Sequence, residues 1–198
     1  MTGTQALWFL SRASGLVLLV ALSAAVVLGI ATKMAAAPRW FPRFAVSEMH
    51  RVLSIFSLVL LALHVLTALL DPYVSIGWWA TLVPFVSRYR PFALGLGTLA
   101  LDLVGALVLS SLARRRLGWR SWRAVHWAAY AVWPIALVHG LQTGTDWHQW
   151  WVADIGWGCA AAVATGLGAR LLAEVRTRSR REPSRRVPTA TPRPGARP

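Results

Sequence analysis

Residues 50–70 read HRVLSIFSLVLLALHVLTALL, and two features of that stretch decide how the chain folds. From Val52 to Leu70 no formal charge occurs, which is close to the roughly 20 apolar residues a helix needs to cross a bilayer. His50 and His64 stand fourteen residues apart within the stretch. At 100° per residue such a spacing returns to within about 40°, so both imidazoles lie on one helix face, about 21 Å apart.

Working outward, Ala13 to Thr32 and Phe92 to Ala113 have the same character, and the whole chain of 198 residues is 56% apolar with only 14% charged. Its mean hydropathy is +0.50. A soluble domain is less apolar and more charged. The runs predict membrane spans at residues 6–32, 44–70, 91–112, 121–142 and 150–175. Pro38, Pro42, Pro72, Pro84 and Pro91 fall between or at the edges of these spans, as helix boundaries should. The expected fold is an all-α membrane bundle of about five transmembrane helices over residues 1–175, followed by a disordered basic tail over 176–198. Of twelve Trp, Trp8, Trp40, Trp78, Trp79, Trp119, Trp122, Trp147, Trp150 and Trp151 cluster at span ends and read as interfacial belts. The single cysteine, Cys159, allows no internal disulfide and is expected in a helix interior.

A net charge of +14 would point to nucleic acid in a soluble protein. Here it resolves into loops and a tail, and nucleic-acid binding is set aside. From Glu174 onward eight Arg stand against two Glu, among Pro, Ser and Thr, a disordered composition suited to an anionic inner leaflet. Lys33, Arg39 and Arg43 follow the first span, and Arg114, Arg115, Arg116, Arg120 and Arg123 surround the start of the fourth. With the tail, these segments define the cytoplasmic side, and the N-terminus is expected outside the plasma (inner) membrane. A cleavable signal ending at Ala35-Ala36-Ala37 is the competing reading of the first span. Cleavage would turn the triple arginine outward, so the uncleaved reading is preferred.

This topology makes the second and fourth spans parallel. The fourth carries His126 and His139, thirteen residues apart, so each of the two spans places one histidine per leaflet at matching depth. Thirteen residues leave about 140° of mismatch on an ideal helix. Pro134 lies between the two, and the distortion a proline causes is expected to help aim both rings at the second span. Histidines that merely bond across helices are the bland alternative. Ionisable groups at depth are rare and usually functional, which weighs against it for two depth-matched pairs. Structural zinc wants three or four ligands at one point, whereas two imidazoles per iron suit a low-spin haem.

At His50-Arg51 with His64, Trp122-Arg123-Ala124-Val125-His126 and His139-Gly140, the sequence resembles the ferric reductase-like transmembrane domain family. That family includes NADPH oxidases, ferric reductases and the haem subunit of methionine-sulfoxide reductase systems. The resemblance covers roughly residues 6–145. It implies two b haems, His50 with His126 on the inner iron and His64 with His139 on the outer. It also implies electron flow from a cytoplasmic or quinol donor to an extracytoplasmic acceptor such as ferric iron, oxygen, flavin or a partner reductase. The first of the family's six helices has no counterpart here, and no GxGxxG nucleotide unit occurs. The chain is therefore expected to be the haem-bearing membrane component of an oxidoreductase, served by a flavoprotein, a reductase or quinol.

Two roles are open to Arg12: contact with outer-haem propionates or an anionic acceptor, as the resemblance suggests, or snorkelling to the interface. Arg51 is open to pairing with inner propionates or to anchoring. Asp102, in mid-span, is a proton relay or imidazole-orienting group, or a protonated carboxyl bonded to a Trp or Ser, the latter preferred. Trp133 is expected to pack rather than line a haem gap. His148 is expected in an exposed loop, and the 71–90 loop is expected to lie on the membrane over the outer haem. Competing functions are a cofactor-free transporter or proton channel with a histidine relay, and a structural assembly subunit.

Overall fold

The computed structural model of the chain describes residues 3–34, 42–72 and 76–181. Six helices run through it: α1 (Gly3–Met34), α2 (Arg43–Leu70), α3 (Pro91–Leu112), α4 (Arg114–His126), α5 (Ala129–Thr143) and α6 (Trp150–Arg181). Short 3-10 turns cover Trp78–Thr81 and Asp146–His148. Ala35, Ala36, Ala37, Arg39, Trp40 and the tail from Glu182 lie outside the described residues.

Helices α1, α2, α3 and α6 are each long and apolar enough to cross a membrane, and α4 with α5 makes a fifth span if the bent pair counts as one. The chain is an all-α, multi-pass membrane protein. Its surface agrees with that: Val52, Ile55, Phe56, Val59 and Leu66 on α2 all point outward, a face that lipid solvates and water does not. Several hydroxyls on the spans are satisfied within their own helices. Ser23, Ser54, Ser57 and Thr67 each donate to the carbonyl four residues back, at 2.7–2.8 Å.

Helix α1 is the hub, packing along α2, α6 and α5, while α3 packs on α5 and α4. Among the described residues, α2 and α5 share no extended interface. An apolar cleft lined by Leu61, Val65 and Leu69 of α2 and by Leu101, Val104 and Val108 of α3 opens on that side of the bundle. The core is built where α5 meets α1 and α6: Trp133, Cys159 and Val163 pack with Leu19, Leu22, Val26 and Leu137. Trp133 also donates its Nε1–H to Ser23 Oγ at 2.7 Å, which satisfies the one polar atom of a buried indole. Trp133 thus packs, and Cys159 is buried in a helix interior.

Helix boundaries depart from expectation in three places. The expected fourth span at 121–142 is two helices bent by 41° at Trp127–Ala128, ahead of Pro134, which lies inside the second of them. Tight bonds mark the break: Tyr130 N–H donates to Trp127 O at 3.1 Å and Ala131 N–H to Ala128 O at 2.9 Å. Arg170 of α6 holds it, donating to the Tyr130 hydroxyl at 2.6 Å with its guanidinium 4.6 Å from the Trp127 ring. Pro134 acts a turn later, where its missing donor concerns the Tyr130 carbonyl. Ahead of the break, α4 starts earlier than expected, with Gly118 at φ 73° supplying a non-helical joint inside it. Lastly, α6 runs on to Arg181, so residues 176–181 of the expected tail are helical.

Between α2 and α3 the chain folds back onto α3. The Thr98 hydroxyl donates to Ala80 O at 2.6 Å, and the ring of Phe85 fills the space over Gly95, where a Cβ would collide with it. Phe85 takes φ 68° to do so, a strained setting for a bulky residue. Arg90 donates to Gln142 O at 2.6 Å and ties the segment to the end of α5. Trp78 and Trp79 remain exposed.

Candidate functional site

Histidines from the two halves of the bundle come together at one depth and approach each other at the other. His64 and His139 face each other edge to face with ring centres 6.4 Å apart. His126 lies near enough to His50 for the charge of one to act on the other.

Three of the four imidazoles are held in one repeated way. His64 Nδ1 pairs with the Ser11 carbonyl at 2.9 Å, His50 Nδ1 with Ala25 O at 2.8 Å, and His139 Nδ1 with Ala93 O at 2.8 Å. A carbonyl only accepts, so Nδ1–H is the donor and Nε2 is left with its lone pair. Each ring also lies over a glycine four residues beyond that carbonyl. A Cβ on Gly15 would come within 2.9 Å of His64, one on Gly29 within 3.2 Å of His50, and one on Gly97 within 2.5 Å of His139. Any larger residue at Gly15 or Gly97 would push the ring off its carbonyl. Gly15 and Gly29 are fourteen residues apart, the same spacing as His64 and His50, because α1 runs antiparallel to α2 and presents the same face twice.

His126 is the exception. Its Nδ1 is buried and has no partner among the described residues, and its ring instead stacks on Trp122 at 4.8 Å and 22°.

The remaining sequence candidates divide. Arg12 is near the His64–His139 pair: its charge acts on His64, its guanidinium lies 5.1 Å from the Trp8 ring, and Nη1 is 3.8 Å from Asp146 Oδ2. Arg51 is not drawn toward His50. It is exposed, with Nη2 at 2.6 Å from Glu48 Oε1 one turn back. Asp102 is exposed on α3 and, among the described residues, is bonded to neither a Trp nor a Ser. His148 is exposed in its 3-10 turn, as expected.

The donor set suits a group that takes two trans imidazoles rather than a compact metal site. Among the described residues no three His, Cys, Asp or Glu side chains gather around one point. Two imidazoles on opposite sides of one metal have ring centres about 6 Å apart, given metal–nitrogen bonds of about 2.0 Å and half a ring on each side. The 6.4 Å between His64 and His139 agrees with that. Ligating histidines are characteristically fixed by a hydrogen bond from the other ring nitrogen, the role the three carbonyls fill.

Neither the three glycines and their carbonyls nor Arg170 stand out from the sequence alone. A signal for two of them is present in the fourteen-residue repeat of glycine along α1.

Comparison with known protein families, with curated proteins and with solved structures finds no match for this chain. Fold and site together define an all-α membrane protein carrying paired histidines between two helical hairpins.

Proposed function

We propose that the chain is a di-haem b membrane electron carrier of the ferric reductase-like kind, with His50 and His126 holding one iron and His64 and His139 the other. What carries this reading is the repeated cradle: three imidazoles at two depths, each over a glycine, each with Nδ1–H on a carbonyl and Nε2 free. Bound haem supplies one-electron redox chemistry between its two iron states. The protein's part is to fix the tautomer and direction of each imidazole and to keep the pairs in an apolar bundle. Arg12, beside the His64–His139 pair, supplies positive charge for a propionate or an anionic acceptor. Arg51 is assigned the anchoring role.

In the proposed orientation the arginine-rich end of the bundle faces the cytoplasm of the plasma membrane, and the N-terminus lies outside. A flavoprotein, reductase or membrane quinol donates at one end, and an extracytoplasmic acceptor is served at the other. Cysteines introduced at Thr145 and Arg193 are then labelled from opposite faces of sealed vesicles, and labelling from one face overturns the orientation.

The deciding experiment is the reduced-minus-oxidised spectrum of purified protein with a pyridine haemochrome count. Two haems per chain support the proposal. One haem removes a site, and a protein without a Soret band returns the histidines to a cofactor-free relay.

A further inference from the structure

Helix α1 offers its glycine-and-carbonyl cradle twice, fourteen residues apart, and α3 offers it once, at Gly97 with the Ala93 carbonyl. Fourteen residues beyond Gly97 stands Ser111, and four residues before that is Leu107. This second position of α3 is closed in two ways. A side chain fills the place of the glycine, and the Leu107 carbonyl already accepts from Ser111 Oγ at 2.7 Å and from Ser110 Oγ at 3.0 Å. His126, the histidine left over, is the one whose buried Nδ1 has no acceptor among the described residues.

Something else must fix that ring, and Trp122 is in place to do it. Its indole lies nearly parallel to the imidazole, one helical turn away, at 4.8 Å between centres. The indole is itself held on three sides. Nε1–H reaches Ser111 Oγ at 3.4 Å, the Trp119 ring lies tilted against it at 5.0 Å, and the Arg114 guanidinium lies 4.5 Å from the ring centre. The serine that closes the cradle is therefore the same residue that receives the indole.

We propose that Trp122 is the positioning residue of His126: face-to-face stacking, secured by Ser111 and Arg114, replaces the carbonyl bond that orients the other three imidazoles. The functional meaning of the proposal rests on the di-haem reading, although the stack itself does not. A consequence separates this role from packing. An imidazole that donates to a carbonyl is a more basic ligand than one that does not. The His50–His126 site thus has one strengthened ligand and one plain one, while the His64–His139 site has two strengthened ligands. A more basic ligand favours the oxidised metal, so His126 gives its site the higher potential of the two, other influences being equal.

The test uses the full-length purified chain with Trp122→Ala and Trp122→Phe, and the component lost in His126→Ala identifies the site. In Trp122→Ala that component alone should change its low-spin EPR g-values and shift its midpoint potential, with the other component unmoved. Trp122→Phe keeps an aromatic face and should restore both values to near wild type. The proposal is overturned if Trp122→Ala leaves the His126 component unchanged, if both components move together, or if phenylalanine rescues nothing. Should Trp122→Ala fail to fold, the phenylalanine variant still decides: altered g-values at the His126 site despite a stacked ring count against the proposal, and unaltered values support it. Should the wild type carry no haem, the functional reading fails by itself. The ring-proton NMR shifts of His126 then decide the stack, which requires an upfield displacement that Trp122→Ala abolishes.

Discussion

Along α2, His50 and His64 sit on one unbroken helix, each above a glycine of α1; along α4 and α5, a 41° bend separates His126 from His139, and a glycine lies under His139 alone. The contrast follows from one residue of spacing. Fourteen residues repeat a helix face and thirteen do not, leaving about 140° to be made up. The break at Trp127–Ala128, clamped from α6 by Arg170, lies between the two histidines of the second half, in the stretch where that rotation has to be made. Spacing and bend are thus two parts of one solution, and a change in either without the other should undo it.

The largest effects are expected from the histidines. His64→Ala and His139→Ala should remove the same spectral component, His50→Ala and His126→Ala the other, and double mutants within a pair should lose little more because each pair acts as one site. Grouping of His50 with His139 instead would break the parallel arrangement of the two halves. Next in size is insertion of one alanine between Trp127 and Ala128. It turns α5 by about 100° relative to α4, and at least one component should disappear; intact spectra would show that the bend does not set the aim of His139.

Gly97→Val should displace His139 from the Ala93 carbonyl and lower haem retention at that site by about tenfold to a hundredfold, the usual range for a lost supporting bond. Gly29→Ala, where the approach to the ring is looser at 3.2 Å, should do distinctly less. Competition of the purified variants for haem against apomyoglobin measures both, and equal losses would mean that the cradle is not what distinguishes them. Pro134→Ala should leave both spectral components in place, since the bend lies before it; a lost component would return the distortion to the proline. Smallest of all, Arg51→Gln should leave the melting temperature nearly unchanged, as expected for an exposed ion pair. A lost haem in that variant would give Arg51 a role its position beside Glu48 does not suggest.

Hydropathy is enough to find the spans, and α3 begins and ends at Pro91 and Leu112, the bounds expected for the third span. The break in the fourth span is legible in the sequence only as a mismatch of angle. Its place is not, because Arg170 fixes it from a helix forty residues further along, and a local rule about proline has no access to that contact. Arg51 illustrates the opposite case, a contact that local spacing does reveal. Its partner Glu48 is three residues away in the sequence, a spacing at which opposite charges on a helix meet. The histidines stand out because ionisable residues are rare in membrane spans, whereas glycines are common there and mark themselves only when their spacing is compared with that of the side chains they receive.

The cradles have a consequence for how the protein is assembled. His50 and His64 find their carbonyls on α1, the helix made just before them, and His139 finds its carbonyl on α3, just before the bent pair. Each half of the site is thus completed within a hairpin of successive helices, whose contacts are the quickest to form. Three imidazoles can acquire their tautomer and direction as soon as their own hairpin is in the bilayer, before the two hairpins have met. On the di-haem proposal, each haem would then be added across the gap between α2 and the bent pair of α4 and α5, as a staple joining two finished halves rather than as a nucleus around which they fold.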